Sequence, residues 1–239
     1  KVSFNNQETP ALLAGRIAAQ IEADSVALYR AFTDTAYLKS RGWTPDQALL
    51  PYIPNSYELY WNTPAGAFRD RMLREYEDFW TQGRLEQARR QGLTPEEVIA
   101  LASIVHKETA QVAERPRVAG VYLNRLKRGM LLQADPTVIF ALKKATGNYD
   151  TVIRRVLYRD LELDSPFNTY KYAGIPPGPI AMPDISAIDA VLNPEKHNFL
   201  YFVADTERFG FHKFSETLSQ HNRKKEQYIR WLNAQKIQR

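Results

Sequence analysis

The apolar pattern of residues 1–60 predicts short helices flanked by two short strands. Residues 2–4 form one strand candidate. Apolar residues at Leu12–Ile21 then recur at near-helical spacing, and Ser25–Thr33 has the pattern of a second short helix. Tyr52–Tyr60 is typical of a turn followed by a strand. We therefore expect a small α+β unit at the start of the chain.

The next stretch predicts one long helix. Thr63-Pro64 is a helix-start signal, and apolar residues from Phe68 to Trp80 repeat every three to four positions and extend the pattern towards Gly92. Because this helix carries many charges, residues 61–92 are expected to connect two parts of the chain.

A capping signal at Thr94-Pro95-Glu96-Glu97 opens an apolar helix that is predicted to span Val98–Val112. Pro116 starts another helix, which is expected to end at Gly129. From Met130 to Pro183, glycine, proline, asparagine and aromatic residues predict loops rather than one regular element. Long ordered loops commonly serve binding.

The last part of the chain predicts two strands and a closing helix. Leu200–Ala204 and Phe209–Phe214 have the composition of strands around a turn, and Thr217–Gln235 has a helical pattern. Together with the earlier elements this predicts the α+β class.

Composition narrows the classes of function. A balance of 32 Lys+Arg against 27 Asp+Glu, net +5, favours a polyanionic partner, or marks only a solvated basic surface. No nucleic-acid-binding pattern surrounds the basic residues, so no nucleic-acid partner is expected. The chain has no cysteine, which excludes disulfides and thiolate metal sites. No stretch is apolar enough to span a membrane, and a start at Lys1 rather than Met suggests that an upstream segment was removed.

One carboxylate lies in an apolar stripe. On a helix, Glu108 shares its face with Leu101, Ile104, Val105 and Val112. Burial of an ionised carboxylate is costly, so such a group either pairs with a cation or raises its pKa and keeps its proton. A protonated glutamic acid is what cleavage of a glycosidic bond requires.

The sequence leaves a structural role for Glu108 open, because it can instead form an internal salt bridge with Arg115 or Arg125. His106 lies about 200° around the helix from Glu108, so it is expected to face elsewhere, at the surface or behind the site. The histidines are not spaced as metal ligands, and serine-hydrolase, dinucleotide and nucleotide-triphosphate motifs are absent from the sequence. We therefore expect neither a metal nor another cofactor.

Five ordered motifs resemble the YceG-like endolytic murein transglycosylases. They are Leu101–Thr109, Val121–Leu126, Gly129–Thr137, Phe167–Tyr170 and Gly174–Gly178. The resemblance runs from about Leu93 to the end, through Tyr201–Val203 and His212–Ser215 to His221-Asn222, with a weaker match before it.

The resemblance implies a domain plan and a location. Residues 1–60 would be a LysM-like unit, residues 61–92 a helical connector, and residues 93–239 a lysozyme-like, mainly helical catalytic domain. An N-terminal membrane helix outside this sequence would anchor the protein in the inner membrane, with this part in the periplasm. The expected partners would be peptidoglycan glycan strands and enzymes of cell-wall synthesis.

The resemblance also implies site residues. The family's acid is the glutamate before threonine in a Glu-x-Glu-Thr run, here Glu108 before Thr109; His106 departs from that run at the first glutamate. The glycan groove would be lined by other motif residues, namely Thr109, Asn124, Gln133, Asn168, Thr169 and Tyr170. Asp135 is expected to cap a helix or form a turn, and Gly174–Gly178 to shape the groove wall.

Two further readings stay open at this point. If the first glutamate of the run were the catalytic one, His106 would make the chain an inactive glycan-binding module. A structural partner of cell-wall synthesis complexes is compatible with either reading. The position of Glu108 in the apolar stripe favours an enzyme.

Overall fold

A computed structural model describes residues 1–234. Within them the chain is α+β, as predicted. Two antiparallel sheets of two strands each are formed by β1 (Val2–Phe4) with β2 (Asn55–Tyr57), and by β3 (Tyr201–Ala204) with β4 (His212–Ser215). The helices are α1 (Pro10–Ala18), α2 (Ser25–Phe32), α3 (Thr35–Ser40), α4 (Ala65–Phe79), α5 (Gln82–Gln91), α6 (Pro95–Glu108), α7 (Arg115–Lys127), α8 (Asp135–Thr146), α9 (Ile185–Leu192) and α10 (Leu218–Ala234).

The N-terminal elements share one apolar core. α1 packs against α2, and the β1–β2 pair brings Val2 opposite Tyr57. This core also takes in Phe68 from α4 and Met182 from a distant loop, so it draws on residues beyond position 60. The predicted strands and helices of this part are confirmed, whereas the domain boundaries at 60 and 92 stay predictions.

The prediction of a single long helix up to Gly92 is wrong, because the helix is interrupted between α4 and α5. Trp80 leaves the helical conformation with ψ of 63°, and the Thr81 hydroxyl then accepts the backbone N–H of Arg84 as the cap of α5. A threonine side chain competes with the backbone for hydrogen bonds, which favours a new helix start over continuation.

α6 is the centre of the second core. Its residues 98–105 are all buried, and α7, α8, α9 and α5 pack around it. The predicted capping box is confirmed, since the Glu97 carboxylate accepts the N–H of Thr94 at 2.8 Å. The predicted end at Val112 is wrong: Thr109 is extended, with φ of −139° and ψ of 131°, so the helix stops at Glu108.

The region from Met130 to Pro183 is not all loop, because it contains α8. The remainder is irregular, and its Pro-rich part packs against the N-terminal elements rather than near Glu108. A Cβ on Gly178 would lie 2.1 Å from the Asp46 carbonyl oxygen, so only glycine permits this approach. The expectation that Gly174–Gly178 shapes the groove wall is therefore wrong for the cleft around Glu108.

The C-terminal elements form a hairpin covered by a helix. The β3–β4 hairpin matches the predicted strands, with β4 starting three residues later than expected, and α10 packs on both strands. Gln235, the predicted end of the closing helix, lies outside the described residues. Among residues 1–234, helices long and apolar enough to cross a membrane are absent.

Candidate active site

Glu108 is the last residue of α6, and its side chain reaches the floor of a cleft. Of its predicted apolar neighbours, Leu101, Ile104 and Val105 are fully buried, whereas Val112 is 56% exposed in the turn after the helix. The apolar stripe around Glu108 that helical spacing predicted is thus confirmed for the residues before Glu108 and wrong for Val112. Because α6 ends at Glu108, the carboxylate of this residue projects beyond the core into the cleft.

The cleft holds about 380 Å³ and combines acidic, basic and aromatic groups. Its walls come from α7, α8, α10, the strand β3 and the loops that join them. The lining residues are Glu108, Tyr122, Arg125, Leu132, Gln133, Asp135, Tyr170, Tyr201, Phe202, Leu218, His221, Asn222 and Lys225. Such a mixture suits a polyhydroxylated ligand, because aromatic faces can stack on sugar rings while polar groups bond hydroxyls.

The direct partner of Glu108 is a tyrosine. The Tyr122 hydroxyl, on α7, donates a short hydrogen bond to Glu108 Oε1. The salt-bridge reading is wrong for both cations. Arg115 contacts Asp184 at 3.2 Å and Ser186 at 2.6 Å, and Arg125 donates to backbone carbonyls, that of Leu200 at 2.6 Å among them.

These surroundings raise the pKa of Glu108, so that a large fraction of the carboxyl group keeps its proton at neutral pH. The side chain has partial access to solvent through the cleft, yet protein atoms surround it closely, and this burial raises its pKa to about 7. The Tyr122 hydrogen bond and the charge of Arg125 oppose the increase, while the charge of Asp135 adds to it. Desolvation is the largest of these effects.

Two of the predicted groove residues, Gln133 and Tyr170, lie in this cleft with Glu108. Gln133 adopts a left-handed backbone with φ of 51°, which is uncommon for a residue with a side chain, and such residues cluster at ligand-binding sites. Tyr170 donates from its hydroxyl to Asp135 at 2.6 Å. Asp135 was expected to cap α8 or form a turn; it instead begins that helix and faces the cleft.

The other predicted groove residues either lie outside the cleft or have their polar side-chain atoms hydrogen-bonded within the chain. Asn124 lines a separate depression and donates to the carbonyl of His197 at 2.8 Å. Asn168 is 0% exposed, donates to the carbonyls of Leu161 and Leu163, and so orders a loop.

Thr169 and Thr109 are also buried. The Thr169 hydroxyl pairs with that of Thr137 at 2.8 Å and accepts the N–H of Ala134, and the Thr109 hydroxyl accepts the N–H of Gln111 at 3.0 Å. These contacts use the polar side-chain atoms of four predicted groove residues within the chain, namely Asn124, Asn168, Thr169 and Thr109. They favour a role in holding the chain around the cleft over direct contact with a ligand.

Known proteins that resemble this chain share both its sequence and its fold. The model of the YceG-like family matches residues 1–227. The chain belongs to the YceG-like family. A structure of a protein from Listeria monocytogenes that is described as YceG-like superposes with a TM-score of 0.76 at 30% identity, covering 93% of this chain and 75% of that one.

Two curated relatives of this YceG-like chain are named endolytic murein transglycosylase. The one from Bacillus subtilis (strain 168) is 45% identical over 132 residues, which is 55% of this chain and 34% of the relative. The one from Streptococcus pneumoniae serotype 2 is 40% identical over 113 residues, 47% of this chain and 20% of the relative. The matched parts therefore span about a third of the first relative and a fifth of the second.

His106 marks the departure of this YceG-like chain from the Glu-x-Glu-Thr run. As predicted, its ring faces away from Glu108: Nδ1 lies 3.2 Å from the carboxylate of Asp184, at the start of α9. The side chain is largely buried, so it is not a surface residue. His106 does not line the cleft around Glu108.

Several cleft residues were missed from the sequence as site residues. Tyr122 and Arg125 lie within the motif Val121–Leu126, but α-helical spacing alone does not show that these two, rather than Asn124, face Glu108. His221 and Asn222 lie at the end of the family resemblance, which assigned them no role. Lys225 lies one helical turn after His221. Within residues 1–234, groups of three acidic or histidine side chains suited to a metal ion are absent.

Proposed function

We propose that this chain is the catalytic part of an endolytic lytic transglycosylase of peptidoglycan. It would cleave the β-1,4 bond between N-acetylmuramic acid and N-acetylglucosamine within nascent strands and leave 1,6-anhydro ends. The names of the curated relatives support this activity. The observation that carries it is Glu108, a carboxylic acid with a pKa of about 7 in an open cleft.

The first step is protonation of the leaving oxygen. A general acid works best when its pKa lies near the working pH, because enough of it is protonated and it still donates readily. Glu108 meets this condition. Tyr122 donates to Oε1, so the acidic proton of Glu108 belongs on Oε2, the oxygen that remains for substrate.

The second step uses a nucleophile from the substrate. The bond from C1 of muramic acid to the leaving oxygen breaks, and that oxygen takes the proton of Glu108. The C6 hydroxyl then attacks C1 and returns its proton to Glu108, which closes the cycle without consuming water. Intramolecular attack has a large proximity advantage over attack by external water.

A second carboxylate does lie in the cleft, but its contacts favour a supporting role. Asp135 accepts the Tyr170 hydroxyl at 2.6 Å, which orients that ring along the cleft. Another acidic residue, Glu114, is buried outside the cleft, and its Oε2 lies 2.7 Å from Nδ1 of His212. A hydrolase with a pair of flanking carboxylates would have to use Asp135.

Three finer features belong to the same proposal. The sheet of β1 with β2 and the helices between them support a LysM-like unit at the start of the chain. The helical core around α6 supports a lysozyme-like catalytic part. The anchored, periplasmic location and the association with enzymes of cell-wall synthesis rest on the family resemblance alone.

The test is the substitution Glu108→Gln, assayed on purified sacculi with Glu195→Gln, an exposed residue outside the cleft, as the matched control. The amide is nearly isosteric and still accepts from Tyr122, but it cannot donate and then recover a proton. We expect cleavage to be lost and the control to be unaffected. Because the ionised form is costly to bury above pH 7, the melting temperature of Glu108→Gln at pH 8 should not fall.

Turnover of Glu108→Gln within a few-fold of wild type would refute the assignment. A wild-type chain that binds sacculi without releasing fragments would instead be the inactive glycan-binding module that His106 raised.

A further inference from the structure

The end of the cleft formed by α10 carries two cations, Arg125 and Lys225, beside the ring of His221. Arg125, His221 and Lys225 line the same cleft as Glu108. Burial lowers the pKa of His221, and the charges of Lys225, Arg125 and Lys224 lower it further, so these cations act on the ring at short range. The lining carboxylates are Glu108, protonated below about pH 7, and Asp135.

Donors at this end have capacity left for a ligand. Arg125 donates from Nε to the Leu200 carbonyl and from Nη1 to the carbonyls of Leu131 and Leu132 and to Gln133 Oε1, and its Nη2 makes no hydrogen bond within residues 1–234. His221 Nδ1 is buried without a hydrogen-bond partner in the same part of the chain. Buried polar atoms are normally satisfied, so unmatched ones in a cleft point to a ligand that supplies the missing partner.

Contacts within the chain hold the side chains of Arg125 and His221 in place. The backbone carbonyls hold the guanidinium of Arg125, and the ring of His221 stacks on Tyr201 at 5.3 Å between centroids. Lys225 is exposed at the mouth, one helical turn after His221 on α10. A fixed guanidinium with a lysine in the same cleft matches a planar anion, and a carboxylate is the planar anion that such donors bind best.

We propose that Arg125, His221 and Lys225 form a subsite for a carboxylate carried by the glycan next to the scissile bond. This inference rests on the proposed function. In peptidoglycan such a carboxylate is either the free lactyl group of muramic acid or a carboxylate of an attached peptide. The subsite would thus select muramic acid over uncharged glycans such as chitin, and direct the strand relative to Glu108.

The test measures dissociation constants calorimetrically in the Glu108→Gln background, which removes turnover. The ligands are a peptide-free tetrasaccharide of alternating N-acetylglucosamine and N-acetylmuramic acid, its lactyl methyl ester, its peptide-bearing form and chitotetraose. Exposed charge pairs are worth up to about 1 kcal/mol, so we expect the acid to bind about fivefold more tightly than the ester. This preference should shrink in high salt.

The variant Lys225→Gln should reduce that preference by at least half, and Lys127→Gln, an exposed lysine outside the cleft, should leave it unchanged. Tighter binding of the peptide-free acid identifies the lactyl group, and tighter binding of the peptide-bearing form identifies a peptide carboxylate. Equal binding of the acid, the ester and the peptide-bearing form, or a preference that Lys225→Gln does not alter, overturns the subsite.

A parallel cleavage assay with wild-type protein separates the two proposals. Cleavage of peptidoglycan without any preference in binding would refute the subsite and leave the transglycosylase intact. A preference in binding without cleavage would refute the enzyme and leave the subsite intact.

Discussion

At the residue scale, the chemistry of Glu108 depends on opposing effects on one pKa. Burial favours the neutral acid, and the Tyr122 hydroxyl, which donates to Oε1, favours the carboxylate. Burial prevails, but the hydrogen bond keeps the pKa at about 7 rather than higher. Tyr122 is itself only 2% exposed, so its position is fixed by packing. It is a positioning residue for the carboxyl group.

The substitution Tyr122→Phe should therefore raise the pKa of Glu108 and weaken catalysis moderately. Without the donor, the ionised form loses stabilisation, and the basic limb of the pH–rate profile should move to higher pH. The free energy of unfolding should fall by about 1 kcal/mol, the usual value of one hydrogen bond. Tyr149→Phe, outside the cleft, serves as the control. A pH–rate limb that stays in place would contradict this role for Tyr122.

At the element scale, the junction of α6 with α9 holds the catalytic helix in place. Asp184, at the start of α9, contacts both His106 and Arg115 at 3.2 Å. Burial lowers the pKa of His106, and the charges of Arg115 and Lys107 lower it further against the effect of Asp184, so the ring is largely neutral at pH 7. His106 thus supports a helix contact from the side away from the cleft.

His106→Gln should retain most of the cleavage activity. The amide can replace the hydrogen bond to the backbone N–H of Asp184, which the ring accepts at 3.4 Å, so the loss of stability should stay near 1 kcal/mol. The measurements are turnover on sacculi and chemical denaturation. A loss of rate beyond about a hundredfold, roughly 2.7 kcal/mol in barrier height, would mean that His106 takes part in proton transfer.

The sequence predicted elements well where local signals were strong. The capping box at Thr94 fixed the start of α6, and the apolar stripe identified Glu108, because both depend on residues close in the chain. The break at Thr81 and the end of α6 at Glu108 were missed, since a helical pattern continued past each of them. α8 was missed because the glycine and proline around it resemble a loop.

The site was predicted less completely, for a tertiary reason. Gln133 and Tyr170 line the cleft as expected. The side-chain amides of Asn168 and Asn124 instead donate to backbone carbonyls, which come near only in the folded chain. A sequence motif identifies residues that a family shares, but it does not show whether their side chains contact a ligand or hold a loop in place.

At the scale of the whole molecule, one carboxylate joins the N-terminal elements to the catalytic helix. Glu8 contacts Lys107 on α6 at 2.7 Å and Lys143 on α8 at 2.8 Å. Lys107 directly precedes Glu108. Burial alone would raise the pKa of Glu8, but the hydrogen bonds and charges of the two lysines outweigh it and lower the pKa below its usual value.

Glu8→Gln should lower the free energy of unfolding by about 1 kcal/mol at pH 7. A lowered folded-state pKa contributes stability that is present above the unfolded pKa of about 4.5 and lost as pH falls through the lower folded value. The difference between wild type and variant should therefore shrink below pH 4. Chemical denaturation at both pH values, with the exposed Glu22→Gln as control, checks this. A difference that is the same at both would contradict the ion-pair account.

The central claim, that Glu108 works alone and the substrate supplies the nucleophile, is tested by digestion of peptidoglycan in oxygen-18 water with mass spectrometry of the fragments. The account predicts new muramic ends that are lighter by one water than hydrolysed ends and carry no label. Labelled reducing ends would contradict it, because water would then be the nucleophile and Asp135 its activating base.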